Sequence, residues 1–262
     1  VSAAGWNADP VDADALLAEL AAWWQDPEPD HYSRNIPARI AGGKWDQEVP
    51  VGTRNPYWEI IRQLPLSDIP FPRETRPEPM THLFTGTPGN DLRVFADRFS
   101  LCRTFSWSIP SPGDIAWMRD ILGGKGVVET GAGSGYWAWQ MEQAGIDAVA
   151  YDPAETGNNK FACRQWATVL RDDHGAARLH PDRALFLCWP SYAEPWAAQS
   201  LACYDGDLLI FAGEPEGGCT ADDEFFKLLD AEWEESGVAP QHVSHWGIHC
   251  YLTACMRKGA AS

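Results

Sequence analysis

The sequence predicts a doubly wound α/β protein, a mostly parallel sheet with helices on both faces. Three observations predict it. From about residue 108, short apolar strand-like runs alternate with helix-length segments, the rhythm of parallel sheets. The first of those runs leads into three glycines at every second position, Gly131, Gly133 and Gly135, and then into a helical pattern. The chain closes on two late strand-like runs around Gly247, as expected for an antiparallel edge added to a parallel sheet.

Element by element, "DPVDADALLAELAAWWQ" begins with a capping-type Asp-Pro and spaces Leu and Ala helically, which predicts a helix over 9–25. "NPYWEIIRQLP" predicts a second, stopped by Pro65, and the Pro-rich run 66–80 predicts a loop. Residues 82–105 have no decisive pattern. "GDIAWMRDILGG" predicts a helix ended by Gly123 and Gly124. Strand 126–130, helix 135–145 and strand 147–152 follow, and 158–173 reads as a helix or an irregular connection. Strand 183–190, helix 194–204, strand 206–214 and helix 221–237 complete the alternation before the two late strands of 239–258. The change of rhythm divides the chain into a helix-and-loop extension, 1–105, expected to lid the site, and a catalytic domain, 106–262.

The bulk properties narrow the function. A chain of 262 residues with net charge −17 repels phosphate backbones and anionic lipid surfaces, so neither a nucleic acid nor a membrane is the expected partner. A cationic small molecule is attracted by the same field. The seven cysteines are odd in number, scattered and without a C-x-x-C, as in proteins of a reducing compartment. With no signal-like start or long apolar run, a cytoplasmic location is expected. The 14 tryptophans are compatible with a homodimer.

The glycine turn decides between ligands. A nicotinamide dinucleotide fingerprint, G-x-G-x-x-G, requires glycine where Tyr136 stands, and the phosphate-binding G-x-x-x-x-G-K-[ST] is absent. No Lys or Arg lies nearby to meet a pyrophosphate; instead Glu129 stands two residues before Gly131. "VVETGAGSGYWAW" resembles the first motif of class I S-adenosylmethionine-dependent methyltransferases, [VIL]-x-[DE]-x-G-x-G-x-G. The resemblance covers roughly 108–257 and implies a seven-stranded Rossmann-like sheet. It implies that the glycines let the backbone approach the cofactor while Glu129 helps hold its cationic methionine end. Asp152, at the end of the next strand and 21 residues after Gly131, suits an acid accepting the ribose hydroxyls. The cofactor is a sulfonium with an ammonium and no phosphates, so it needs acids and close backbone rather than a basic cradle.

Other stretches supply candidates for the remaining roles. "FLCWPSY", at the end of the fourth expected strand, partly resembles the [DN]-P-P-[YF] motif of amino-methylating enzymes, but Trp189 replaces the acid or amide and Ser191 the second Pro. The resemblance still places Cys188 and Trp189 beside the cofactor and Tyr192 at the acceptor. Glu214 and Glu216 follow the fifth strand and are candidates to bind a cationic acceptor, Glu214 also to accept its proton. His245, Trp246 and His249 fall in the loop that, in this family, faces the acceptor, with His245 a candidate general base. The three nearby histidines, His242 included, lack the helix and the cysteine pair that a zinc site needs, so no metal is expected. In "SWSIPSPG", Trp107 is a candidate to stack near the sulfonium or adenine, and Arg103 to meet the methionine carboxylate.

These features imply a methyltransferase that modifies a small molecule, with N-methylation of an aminoglycoside-like amine of secondary metabolism as the leading expectation. O-methylation of a phenol or carboxylate, a peptide or protein acceptor, and a cofactor-binding scaffold without activity stay open.

Overall fold

The computed structural model describes residues 47–62, 98–154, 158–245 and 248–259. The helix expected over 9–25 and the loop over 66–80 lie outside them. Among the described residues no helix is long and apolar enough to cross a membrane.

Seven strands form one sheet. They are β1 (Val127–Thr130), β2 (Ala148–Asp152), β3 (Val169–Arg171), β4 (Ala184–Cys188), β5 (Leu208–Gly213), β6 (Trp233–Val238) and β7 (Tyr251–Arg257). Their order is β3-β2-β1-β4-β5-β7-β6. The first five run parallel, and β7 enters antiparallel between β5 and β6. This is the Rossmann-like sheet of the class I methyltransferase fold, with the expected antiparallel edge.

Side-chain alternation explains the two helical layers. In successive central strands Val127, Ala184, Phe186, Leu208 and Ile210 point to one face, and Val128, Leu185, Leu187, Leu209 and Phe211 to the other. On the first face pack helices α3 (Pro112–Leu122) and α4 (Tyr136–Gln143), through Ile115, Met118, Leu122, Trp137 and Met141. On the second pack α5 (Trp196–Cys203) and α6 (Asp223–Glu232), through Ala197, Leu201 and Phe225. Strands buried on both faces read as continuous apolar runs, which is how "VV", "ALFL" and "LLIF" appear in the sequence.

The helix ends obey local chemistry. Ser111 and Asp114 form a capping box at the start of α3, Pro112 fills the first turn, and Gly123 ends it in the left-handed conformation. Asp222 caps α6 by accepting from the Phe225 N–H.

Two further helices, α1 (Pro56–Ile61) and α2 (Arg98–Thr104), build a third apolar cluster beside the sheet. It contains Tyr57, Trp58, Ile60 and Ile61 with Phe105, Tyr136 and Val243. A buried polar relay runs through it. The Tyr136 hydroxyl donates to Asn55 Oδ1 at 2.8 Å and accepts from the Tyr57 N–H at 3.0 Å, and Tyr57 Oη lies 3.0 Å from His245 Nε2. Residues 47–62 therefore contribute to the interior itself; most of the extension expected as a lid lies outside the described residues.

The stretch 158–173 takes the irregular of its two expected forms and adds the short strand β3. Two element assignments change. The helix expected over 221–237 stops at Glu232, and Trp233–Val238 becomes strand β6. Pairing with β7 outweighs the helical preference of "EWEE", whose continuation into Ser236 and Gly237 is weak helix material. Only one strand, β7, forms in 239–258, and the described residues of 239–250 lie outside any strand.

Candidate functional site

A cavity of about 700 Å³ opens where β1, β2 and β4 end. In an open parallel sheet the loops beyond the strand C-termini make such a crevice, because neighbouring connections diverge to opposite faces there. Its floor is the β1–α4 turn. Gly131, Gly133 and Gly135 all have positive φ, at 71°, 56° and 71°. That conformation costs an L side chain about 1–2 kcal/mol. Two of the three are also sterically pinned: a Cβ on Gly131 would meet the Trp196 ring at 2.5 Å, and one on Gly135 would meet Val169 at 2.8 Å. Gly131 and Gly133 line the cavity, whereas Gly135 sits behind it, where the chain passes into β3.

Glu129 and Asp152 supply the charge. Glu129 is 1% exposed, lines the cavity, and its Oε2 has no hydrogen-bond partner among the described residues. Burial pushes its carboxyl up to about 8; a backbone hydrogen bond at Ala138 works against the shift and Asp152 adds to it. Asp152 is tied down instead. Its Oδ2 accepts from the Gly133 N–H at 2.9 Å, and its Oδ1 from the Ala154 N–H at 2.9 Å and Asn159 Nδ2 at 3.2 Å. Burial raises the Asp152 carboxyl too, against the pull of these three donors. The bond to Gly133 fixes the glycine turn to the end of β2.

The strand-four end contributes Cys188 and Trp189, both lining the cavity. The Cys188 thiol is pushed up by burial and lies 3.4 Å from Ser106 Oγ. Trp189 has φ 50°, an uncommon conformation for a bulky residue, held by donation of its N–H to the Ala212 carbonyl at 2.7 Å. Trp107 closes another side: its Nε1 donates to the Phe161 carbonyl at 3.0 Å and its ring meets Phe161 edge-on. Tyr192, 69% exposed, sits at the rim with Glu194, Asp173 and His174.

Several expected site residues lie elsewhere. Glu214 is 5% exposed and does not line the cavity. Its Oε2 accepts from the Cys219 N–H at 2.7 Å and its Oε1 from the His249 N–H at 2.9 Å, so both oxygens join two loops. His245 is 2% exposed and engaged with Tyr57, inside the aromatic cluster rather than on the cavity. Glu216 and His249 are exposed and outside the lining, and Arg103 is also outside it. Trp246 lies outside the described residues. His242 pairs with Asp114 at 2.9 Å. Among the described residues no group of three His, Cys, Asp or Glu is placed to hold a metal ion.

The cavity also uses residues that the sequence did not single out, among them Ser106, Asn159, Phe161 and Trp196. The "NN" that follows β2 was the visible signal for Asn159, since an amide after a strand end suits a carboxylate partner. Trp196 carries no such mark: it looks like any first-turn helix residue until Gly131 is placed against it.

No family model matches the chain, and no curated protein matches it. Solved structures of similar shape include the magnesium protoporphyrin IX methyltransferase ChlM from Synechocystis PCC 6803 with bound SAM. It is 16% identical, covers 55% of this chain and 76% of its own, and has a TM-score of 0.36. The 1,6-didemethyltoxoflavin-N1-methyltransferase from Burkholderia thailandensis is 17% identical over 56% of this chain and 76% of that one, with a TM-score of 0.32. The putative methyltransferase yhhF from Escherichia coli is 11% identical over 55% and 84%, with a TM-score of 0.36. Likenesses at this level leave the function to be read from the site itself.

Proposed function

We propose that the chain is an S-adenosylmethionine-dependent methyltransferase that N-methylates a small-molecule amine. One observation carries the cofactor reading: a buried carboxylate, Glu129, presents an unpartnered oxygen beside a glycine turn that is locked to Asp152. A buried unpaired carboxylate is costly, and a cationic ligand relieves that cost. The ammonium of the cofactor's methionine end suits Glu129, and its ribose hydroxyls suit the acceptor capacity left on Asp152. Phosphates do not suit the cavity, whose lining holds Glu129, Asp152, Asp173 and Glu194 against the single cation Lys160 among the described residues.

When bound, the cofactor supplies an electrophilic methyl group on a good leaving group. The chain then has to orient, exclude water and remove a proton. Trp107, Trp189 and Phe161 give the cavity apolar walls. Tyr192, Glu194 and Asp173 make an acidic, aromatic rim that favours a cationic amine. His174, among the described histidines the one that lines the cavity, is the residue this reading assigns to take the amine's proton.

The test is calorimetric titration with S-adenosylmethionine, followed by transfer of labelled methyl to a panel of amines. Micromolar binding, weakened at least tenfold by Asp152→Ala, is the expected result. Absence of cofactor binding by the folded protein overturns the proposal, and transfer only to hydroxyl or carboxyl acceptors overturns the choice of amine.

A further inference from the structure

The acceptor positions of Asp152 are nearly used up. A carboxylate has about four of them, shared equally by its two oxygens. Oδ1 takes two donors, the Ala154 N–H at 2.9 Å and Asn159 Nδ2 at 3.2 Å, and Oδ2 takes one, the Gly133 N–H at 2.9 Å. The position left is on Oδ2. A vicinal diol has two hydroxyls to place, so this carboxylate meets only one of them. Asn159 stands beside it with the opposite chemistry. It is buried and lines the same cavity. Its amide is oriented at both ends: Oδ1 accepts the Phe161 N–H at 2.9 Å, and Nδ2 donates to Asp152. A backbone donor on one side and a carboxylate on the other fix which atom is oxygen and which nitrogen. Nδ2 carries two N–H groups, of which Asp152 takes one. The other has no partner among the described residues, a cost that a hydroxyl oxygen relieves. Phe161 is held in turn, its carbonyl accepting from Trp107 Nε1 at 3.0 Å, so the amide is anchored through two cavity walls.

We propose that Asn159 is a further cofactor-binding residue, and that it and Asp152 divide two neighbouring hydroxyls between them. One hydroxyl donates to Asp152 Oδ2, and the other accepts from Asn159 Nδ2. The site therefore reads a vicinal diol as one donor and one acceptor, instead of placing both hydroxyls on the acid. That the diol is the ribose of S-adenosylmethionine rests on the function proposed above. The division of labour does not, since it follows from the donors already seated on Asp152 and from the spare N–H of Asn159.

The test titrates the full-length protein with S-adenosylhomocysteine and with the two analogues that each lack one ribose hydroxyl, then repeats the series with adenosine and its two deoxy forms. In the wild type each missing hydroxyl should weaken binding at least about fivefold. Asn159→Ser keeps an acceptor for the Phe161 N–H and loses the amide's spare N–H. In that variant one analogue should bind within about twofold of its parent, while the other keeps its full penalty. Asn159→Ala, which removes the amide altogether, should give the same one-sided pattern. A residue that only supported Asp152 would change both penalties together. Both penalties surviving, both vanishing, a wild type indifferent to one hydroxyl, or loss of all binding in both variants overturns the assignment. If S-adenosylhomocysteine binds but neither penalty depends on Asn159, the proposal falls and the cofactor reading stands. If adenosine shows the Asn159-dependent pattern while S-adenosylhomocysteine and S-adenosylmethionine do not bind, the methyltransferase reading falls and the diol site stands. Binding of none of these ligands overturns both.

Discussion

Cofactor binding should release a proton, and Glu129 should be its source. The Glu129 carboxyl is raised from 4.5 to about 8, chiefly by burial. A shift of that size corresponds to roughly 5 kcal/mol of resistance to ionisation. At pH 7 the group is therefore about nine-tenths protonated, and a cationic ligand has to displace that proton. The apparent association constant then follows the ionised fraction. It rises about tenfold per pH unit below pH 7 and flattens above pH 8. Between pH 5.5 and 7 the gain is roughly 30-fold, about 2 kcal/mol. The assay is calorimetric titration with S-adenosylhomocysteine in buffers of different ionisation enthalpy, which counts protons directly. Near pH 6.5 about one proton should leave per ligand bound. Glu129→Gln should abolish both the release and the slope, and weaken binding at pH 8 by at least 50-fold. A flat pH profile in the wild type, or proton release that persists in Glu129→Gln, would refute the idea that this carboxylate waits uncharged for a cation.

The remaining predictions concern groups outside the cavity. Glu214→Gln replaces one of two oxygens that accept backbone N–H groups with a donor; it should cost about 1–3 kcal/mol and lower the Tm by several degrees. The Kd for S-adenosylhomocysteine should stay within about twofold, and lost turnover at unchanged Tm would show that the residue acts in the reaction instead. His242 makes the fold sensitive to alkali. Burial alone would lower its imidazole, but the Asp114 carboxylate, together with Cys250, outweighs that and raises it from 6.5 to about 10. A raised folded value means that the ion pair contributes fully below about pH 6.5 and is lost as pH rises through 10. Urea unfolding between pH 6.5 and 9.5 should show stability falling with pH, and His242→Gln should be less stable at pH 6.5 with a shallower fall; parallel curves would rule the pair out as the cause.

The sheet and the cofactor end of the site were legible in the sequence because their signals are local. Four buried strands announce themselves as apolar runs, and Glu129, the three glycines and Asp152 sit at fixed spacings around β1 and β2. β3 was not legible, since three residues of an edge strand, two of them exposed, carry no pattern. β6 was hidden by glutamates that favour a helix, and only its pairing with β7 decides the matter. The acceptor side failed for another reason. Glu214 and His245 do lie on loops beyond strand ends, but a buried carboxylate and a buried imidazole satisfy themselves with whatever donors the neighbouring loops bring. Which loops those are depends on contacts such as Glu214 to His249 and Tyr57 to His245, which sequence spacing does not encode.

The relay through Asn55, Tyr136, Tyr57 and His245 also sets a timetable for making the protein. The Tyr57–His245 contact spans 188 positions of the chain. During synthesis Tyr57 leaves the ribosome long before its partner exists, and at about 5–20 residues per second it waits on the order of ten seconds or more. Throughout that interval Tyr57, Trp58, Ile60 and Ile61, all buried in the finished molecule, have only part of their cluster to pack against. Contacts of such long separation slow folding and leave apolar side chains open to other chains. The nascent protein therefore has a built-in reason to depend on chaperones, and chains shortened at the C-terminal end should aggregate rather than fold into a smaller working unit.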